Sequence, residues 1–149
     1  MSDYKTELAS ISNIPKNIKI AIITADFNKK YTSQMKDITE KFLSENHFRE
    51  IEQFSVPGAF ELPAMIPRVL EKEPFDLVYC FGVVVRGDTD HYDYVCNETS
   101  RGIMDMTIKH RTPIVFGLLT CDNEKQVQER INENLAISGL NLLSETLKL

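Results

Sequence analysis

The segment of residues 82–95 carries the clearest chemical pattern in this chain, because a buried strand ends there in glycine and leads into a helix. The apolar run 76–85 stops at Arg86-Gly87, and a short polar turn separates Gly87 from His91. Backbone N–H groups at a helix N-terminus point outward and bind anions. An imidazole in the first helical turn can move protons near neutral pH. The segment therefore predicts a phosphate site with an acid/base group beside it.

The composition is that of a soluble globular domain. The chain has 149 residues, of which 42% are hydrophobic and 26% are charged, enough for one domain with a real core. A net charge of −5 argues against nucleic acid and anionic membranes as partners. No apolar run approaches the roughly 18 residues of a membrane span, and the first residues lack the pattern of a signal peptide. Cys80, Cys96 and Cys121 fit neither a disulfide framework nor a zinc pattern, which indicates a reducing cytoplasm.

Apolar runs alternate with helical patterns along the chain, and this alternation predicts an α/β fold. We expect strands at 18–24, 50–56, 76–85 and 113–120. We expect helices at about 31–45, 62–70 and 91–109, one marked by Val127, Ile131 and Leu135, and a last one marked by Leu140, Leu143 and Leu147. Four strands connected by helices form a four-stranded parallel sheet with helices on both faces.

Some boundaries in this scheme rest on proline and glycine. Pro67 is expected to end or kink the second helix, and Gly139 is expected to interrupt the helical pattern near the C-terminus. Residues 1–16 are polar and end near Pro15, so they form either an arm or a disordered segment. The single domain is then 17–149.

In parallel sheets, ligands bind at the carboxyl ends of the strands. This rule selects the loops 25–30, 57–61, 86–91 and 120–124, and the residues that look chemical lie in three of them. That agreement supports a shared ligand site more strongly than any one motif.

Several candidates also have structural interpretations. Phe27 suits stacking on a planar heterocycle, but it is equally suited to folding back onto the core. Glu61 suits ligand hydroxyls, but its place in a first helical turn is explained by the helix dipole. Phe116 within the fourth strand is expected in the core. His47 and His110 are expected to face solvent.

The predicted anion site carries two acidic residues, Asp88 and Asp90, so it requires a cation from elsewhere. Thr89 or Asp90 would serve equally as a helix N-cap. Arg130 has the planar guanidinium that suits phosphate, although an arginine on a helix surface is usually only solvated.

Beside these observations, the chain resembles the lumazine synthase family of riboflavin biosynthesis over about residues 18–149. The resemblance rests on Phe27-Asn28, the segments 57–63, 82–95 and 112–120, and Glu129-Arg130, of which 82–95 is the most specific. It implies a three-layer flavodoxin-like sandwich. It also implies a transferase that condenses 5-amino-6-(D-ribitylamino)uracil with 3,4-dihydroxy-2-butanone 4-phosphate and releases phosphate and water.

The resemblance further implies the roles of particular residues. His91 is the implied catalytic residue, which relays protons. The implied substrate-binding residues are Phe27, Ala59, Phe60, Glu61, Val84, Val85, Gly87, Asp88, Thr89, Phe116 and Arg130. Within that set, Phe27 stacks on the pyrimidine ring and the main chain of 84–85 frames it. The backbone of 59–60 with the Glu61 carboxylate holds the ribityl hydroxyls, and the turn 87–89 with Arg130 holds the phosphate.

The resemblance implies no metal and no cofactor. It implies a pentamer-based homo-oligomer with active sites between subunits, to which Phe116 arrives from a neighbour, and an N-terminal arm that can pair with a neighbouring subunit.

The chain departs from the family in carrying Asp26 where Arg is common and no Lys in 132–138, where Ser138 matches the lysine nearest the phosphate. The same stretch is expected to link the last two helices. Since it lacks the Gly and Lys of shell-forming members, it favours a free pentamer or a pair of pentamers.

Other functions fit the residues less well. A flavin or lumazine carrier would keep Phe27 but would not need His91 or Arg130, and both are present. The related archaeal-type riboflavin synthase fits residues 86–95 poorly. A flavodoxin-like electron carrier would have a Ser/Thr-rich phosphate loop after the first strand, and a phospho-receiver domain would have clustered acids and a late lysine.

Overall fold

The fold is built on a single parallel sheet of four strands in the order β2-β1-β3-β4. The structure, a computed structural model, describes residues 6–149. The elements in chain order are β1 (Lys19–Ala25), α1 (Lys29–Glu45), β2 (Glu50–Val56), a 3₁₀ helix (Ala59–Glu61), α2 (Leu62–Lys72), β3 (Leu77–Val85), α3 (His91–His110), β4 (Ile114–Cys121), α4 (Glu124–Glu129) and α5 (Asn134–Thr146).

Side chains alternate between two hydrophobic cores, one on each face of the sheet. On one face, α1, α4 and α5 pack on β-strand residues such as Ile22 and Tyr79. On the other face, α2 and α3 pack on residues such as Ile23 and Cys80. Strands buried on both faces are apolar throughout, which is why they read as continuous hydrophobic runs. The predicted three-layer α/β architecture is confirmed.

The chain order creates a gap at the carboxyl edge of the sheet. From β1 the chain turns outward to β2 and then returns to β3 on the other side of β1, so the connections diverge between β1 and β3. β3 pairs with β1 only as far as Phe81, but it pairs with β4 as far as Val85. One backbone edge of residues 82–85 is therefore not covered by β1.

Two predicted breaks do not occur. Helix α2 continues through Pro67 to Lys72, because burial of Ile66 and Val69 against the sheet outweighs one lost backbone hydrogen bond. Gly139 lies inside α5 rather than interrupting it. A Cβ there would come within 2.3 Å of the Tyr79 hydroxyl oxygen, so glycine provides room for a buried tyrosine whose hydroxyl donates to the Ala136 carbonyl.

The C-terminal helices also differ from the prediction. The pattern Val127, Ile131 and Leu135 is not one helix, because α4 ends at Glu129 and Leu135 belongs to α5. Ile131 is still buried, since the chain leaving α4 stays against the core. Helix α5 begins at Asn134, so most of the stretch 132–138 is helical and is not a linker. The stretch contains no glycine, which would disfavour a helix there.

The part of the N-terminal segment that the structure describes lies along α5 of the same chain. The Asn141 side chain accepts a hydrogen bond from Ala9 N–H at 2.9 Å and donates one to the Glu7 carbonyl at 2.9 Å. Ile14 is buried in the core beside α1 and α5. Residues 1–5 of the predicted arm lie outside the described residues, and its pairing with a neighbouring subunit stays a prediction. Within residues 6–149, no helix is both long and apolar enough to cross a membrane.

We expect Gly117→Ala to destabilise the fold by about 2–3 kcal/mol, as overpacking of a rigid core does. An added Cβ would lie 2.3 Å from the Phe81 ring and 2.6 Å from the Cys80 carbonyl oxygen, and strand pairing fixes both. The free energy of unfolding in urea measures this loss. Gly87→Ala is the matched control, because a Cβ there meets nothing within 4 Å. Equal stability of the two variants would contradict this account of the β3–β4 packing.

Candidate active site

The loops that follow β1, β2 and β3 meet at the gap between β1 and β3 and enclose a cleft of about 610 Å³. The residues that line it are Phe27, Gly58, Ala59, Phe60, Glu61, Val83, Val84, Val85, Gly87, Thr89, His91, Tyr92, Tyr94 and Val95. Three of the four loops selected from the sequence therefore contribute to one site.

Phe27 is held in the cleft by the backbone around it. Its N–H donates to the Pro57 carbonyl at 2.9 Å. Asn28 adopts the left-handed conformation (φ 62°, ψ 42°), and its side-chain amide donates to the Val83 carbonyl at 2.7 Å. With 71% of its surface exposed, the Phe27 ring faces the cleft rather than the core. An exposed ring on a fixed backbone offers a stacking surface.

The segment after β2 brings backbone and a carboxylate to the cleft. Gly58 is extended, and the Gly58 carbonyl accepts a hydrogen bond from the Glu61 N–H at 3.1 Å, which closes the 3₁₀ turn. The Glu61 carboxylate folds back over Gly58, since a Cβ on Gly58 would lie 3.1 Å from Glu61 Oε2. Ala59 lies close to β3, because a Cβ added at Gly82 would come within 3.1 Å of the Ala59 Cβ. Small residues at these positions allow the turn to lie against the strand and expose Phe60 and Glu61.

The turn of residues 87–90 has the features of an anion site. In the described chain, no backbone N–H of these four residues donates an internal hydrogen bond. The Thr89 hydroxyl accepts from the His91 N–H at 3.3 Å, whereas Asp90 occupies the N-cap position without a side-chain hydrogen bond. His91 is exposed at the start of α3, a helix of 20 residues. The free N–H groups and the positive end of the helix dipole favour an anion here.

Three predicted residues do not line this cleft within the described chain: Asp88, Phe116 and Arg130. Arg130 follows α4 on the sheet face opposite α3, and its guanidinium donates to the Gln126 carbonyl at 2.8 Å. Phe116 is 49% exposed on the edge strand β4, so the expectation that it belongs to the core is wrong. As a residue of the edge strand, Phe116 has a neighbouring strand, β3, on one side only.

Two tyrosines in the cleft, Tyr92 and Tyr94, were not singled out from the sequence. Both lie in the first turn of α3 beside His91, which is the signal that could have identified them. Burial raises the pKa of Tyr92 above its ordinary value.

Of the other histidines, His47 is exposed as expected, whereas His110 is half-buried and its Nε2 has no hydrogen-bond partner in the described part of the chain, which corrects that expectation.

The family model described as 6,7-dimethyl-8-ribityllumazine synthase matches residues 17–148. The chain belongs to this family. It is 37% identical over 139 residues to the 6,7-dimethyl-8-ribityllumazine synthase of Campylobacter jejuni subsp. doylei, covering 92% of this chain and 90% of that protein. It is 36% identical over 115 residues to the enzyme of the same name from Limosilactobacillus reuteri, covering 77% of this chain and 76% of that protein. Lumazine synthases are transferases that carry out the condensation step of riboflavin biosynthesis named above.

The cleft has little positive charge, and in the described chain its lining includes neither Asp26 nor Ser138, the two positions at which the chain departs from the lumazine synthase pattern. Its lining in the described chain contains neither lysine nor arginine, and its charged or titratable members besides the tyrosines are Glu61 and His91. Ser138 lies exposed on α5, where its hydroxyl donates to the Leu135 carbonyl at 2.9 Å. Any cation that meets a phosphate in the cleft must therefore come from outside this lining.

We expect Asn28→Ala to lower the free energy of unfolding by about 2 kcal/mol. Roughly 1 kcal/mol reflects the lost hydrogen bond to Val83, and about as much reflects the left-handed backbone that alanine disfavours. Asn28→Gly removes the hydrogen bond but tolerates the conformation, so we expect about half the loss. Urea denaturation measures both variants. Identical losses would show that backbone strain at this position is unimportant.

Proposed function

We propose that this cleft binds the ribitylaminouracil and the butanone phosphate together and orients them for condensation. The observation that carries the proposal is that Phe27, Glu61, His91 and two residues of the turn 87–90, Gly87 and Thr89, line one cleft of about 610 Å³. A cleft of this size accommodates small organic substrates of this class.

The uracil partner binds near the strand ends. Phe27 stacks on the pyrimidine ring, and the main chain of Val84 and Val85, at the edge of β3 that β1 leaves uncovered, frames it. The backbone of residues 59–60 donates hydrogen bonds to the ribityl hydroxyls and accepts hydrogen bonds from them, and the Glu61 carboxylate accepts from these hydroxyls. Exposed backbone groups suit this role because they hold hydroxyl groups without adding charge.

The phosphate partner binds at the turn. The backbone of Gly87, Asp88 and Thr89 holds the phosphate, and His91 stands beside the reacting atoms. The uracil amine attacks the ketone to form an imine with loss of water, phosphate leaves, and ring closure releases a second water. At each step His91 accepts or donates the proton that moves. Orientation of two reactive molecules is worth roughly 7–11 kcal/mol at the limit, so few catalytic groups are required.

The active site is completed by a neighbouring subunit in a pentamer-based assembly. Phe116 and Arg130 lie outside the cleft of their own chain, so they reach a cleft only if it belongs to a neighbour. An exposed apolar surface supports such an assembly: Tyr94, Met104 and Ile108 on α3 and Phe116 on β4 are each about half or more exposed. We infer a free pentamer or a pair of pentamers. The unpaired thiols Cys80, Cys96 and Cys121 support a cytoplasmic location.

The first test is a rate assay with both substrates that follows lumazine absorbance, on wild type and Arg130→Ala together. We expect wild type to form lumazine and Arg130→Ala to show a KM for the butanone phosphate raised about 10-fold or more, as loss of a charged hydrogen bond to phosphate does. The KM for the uracil substrate should change little. Tight binding of lumazine or riboflavin without turnover would replace this proposal with the carrier function.

A mixing experiment tests the shared site. His91→Ala alone should turn over about 10²–10⁴-fold more slowly without being inactive, because proton transfer is one contribution among several. When His91→Ala and Arg130→Ala chains are co-expressed in equal amounts, about a quarter of sites between subunits receive both native residues. At low phosphate-substrate concentration the mixture should then exceed both parents. A rate equal to the mean of the parents would mean that each site lies within one chain.

A further inference from the structure

Arg86 lies between two residues of the cleft, Val85 and Gly87, yet it is not itself part of the lining. Its backbone N–H donates to the Cys121 carbonyl at 2.9 Å, which continues the β3–β4 pairing into the turn. Its guanidinium Nε donates to Asp122 Oδ1 at 2.8 Å. The arginine thus ties the start of the anion-binding turn to the end of β4.

The same guanidinium also holds the first turn of α3. It lies 4.2 Å from the centre of the Tyr92 ring, and its Nη1 is 3.6 Å from Asp93 Oδ1. Asp122 is fixed in turn, because its N–H donates to the Gln126 side chain at 2.7 Å. Three chain segments that the sequence separates therefore meet at one planar side chain: the β3 end, the α3 start and the loop after β4.

These contacts compensate the charge of Arg86 before any ligand arrives. The hydrogen bond to Asp122 raises the pKa of the guanidinium still further, so it stays charged and paired. A phosphate in the cleft would have to compete with two carboxylates for it. This arrangement is suited to fixing a geometry rather than to binding the anion directly.

We propose that Arg86, acting through Asp122 and Tyr92, is a positioning residue that holds the turn 87–90 and His91 in the orientation that binds the phosphate substrate. The inference rests on the proposed function of the cleft and adds a residue that does not itself touch substrate. Because the site binds through backbone N–H groups, its affinity depends on how the turn is held. Exposed ion pairs contribute little to folding, so loss of Arg86 should affect this orientation more than stability.

The test compares Arg86→Ala, Arg86→Lys and Asp122→Asn, each as the full chain in its native assembly. Arg101→Ala is the matched control: Arg101 pairs with two acids as Arg86 does, but Arg101 and both of its partners, Glu98 and Asp105, lie within α3 and away from the turn 87–90. The measurements are KM for each substrate, the melting temperature, and the affinity for inorganic phosphate by calorimetry, which requires no turnover.

We expect Arg86→Ala and Asp122→Asn to raise KM for the butanone phosphate about tenfold and to weaken inorganic phosphate binding by a similar factor, with KM for the uracil substrate and the melting temperature nearly unchanged. Arg86→Lys, which keeps one ion pair but not the planar stack on Tyr92, should fall between wild type and Arg86→Ala. Arg101→Ala should match wild type in every measurement.

Two results would overturn the inference. One is an unchanged phosphate affinity in both Arg86→Ala and Asp122→Asn. The other is an equal rise in both KM values with a fall in melting temperature, which would indicate general loosening of the fold. If Arg86→Ala does not fold, Asp122→Asn decides alone, because it keeps the arginine and removes one partner. Failure of wild type to form lumazine would instead refute the proposed function, and the phosphate affinities would still test the role of Arg86.

Discussion

The structure depends on one constraint, which is that β1 and β3 part at the carboxyl edge of the sheet. β1 ends its pairing with β3 at Phe81, and β3 continues to Val85 with only β4 beside it. The residues of this chain that line the cleft lie around the opening that results. The connections that leave β1 and β3 run in opposite directions, so this edge of the sheet stays open between the two strands. The cleft is therefore a consequence of strand order.

The site relies on backbone and shape more than on charge. The turn after β3 provides N–H groups, and the backbone of the turn after β2 approaches β3 closely. The Asn28 side-chain amide fixes the loop after β1 to β3. The cation nearest the turn, Arg86, is already paired with carboxylates. An uncharged site binds phosphate less strongly than a charged one, which is why we propose that a cation from a neighbouring subunit completes this one.

Much of the fold was predictable because the physics is local. β1 and β3, which are buried on both faces, are apolar runs, and Pro57-Gly58 and Arg86-Gly87 mark the ends of β2 and β3. The errors arose where distant packing overrides local preference. Pro67 is tolerated because α2 packs on the sheet, and Gly139 is required by the Tyr79 hydroxyl, which is remote in sequence. Phe116 was misassigned because apolarity alone does not reveal which part of an edge strand a helix covers.

The α/β alternation, the strand ends, the glycine-containing turn before His91 and, through a resemblance, the family could all be inferred from the amino-acid sequence. These features depend on residues adjacent along the chain, whose types set backbone conformation and burial. Which of these groups lie together depends on the three-dimensional packing. It placed Phe27 toward the cleft, separated Arg130 from the cleft of its own chain, and joined Arg86 to Asp122 and Tyr92. Such contacts depend on strand order and packing between distant segments, which periodicity and spacing do not encode.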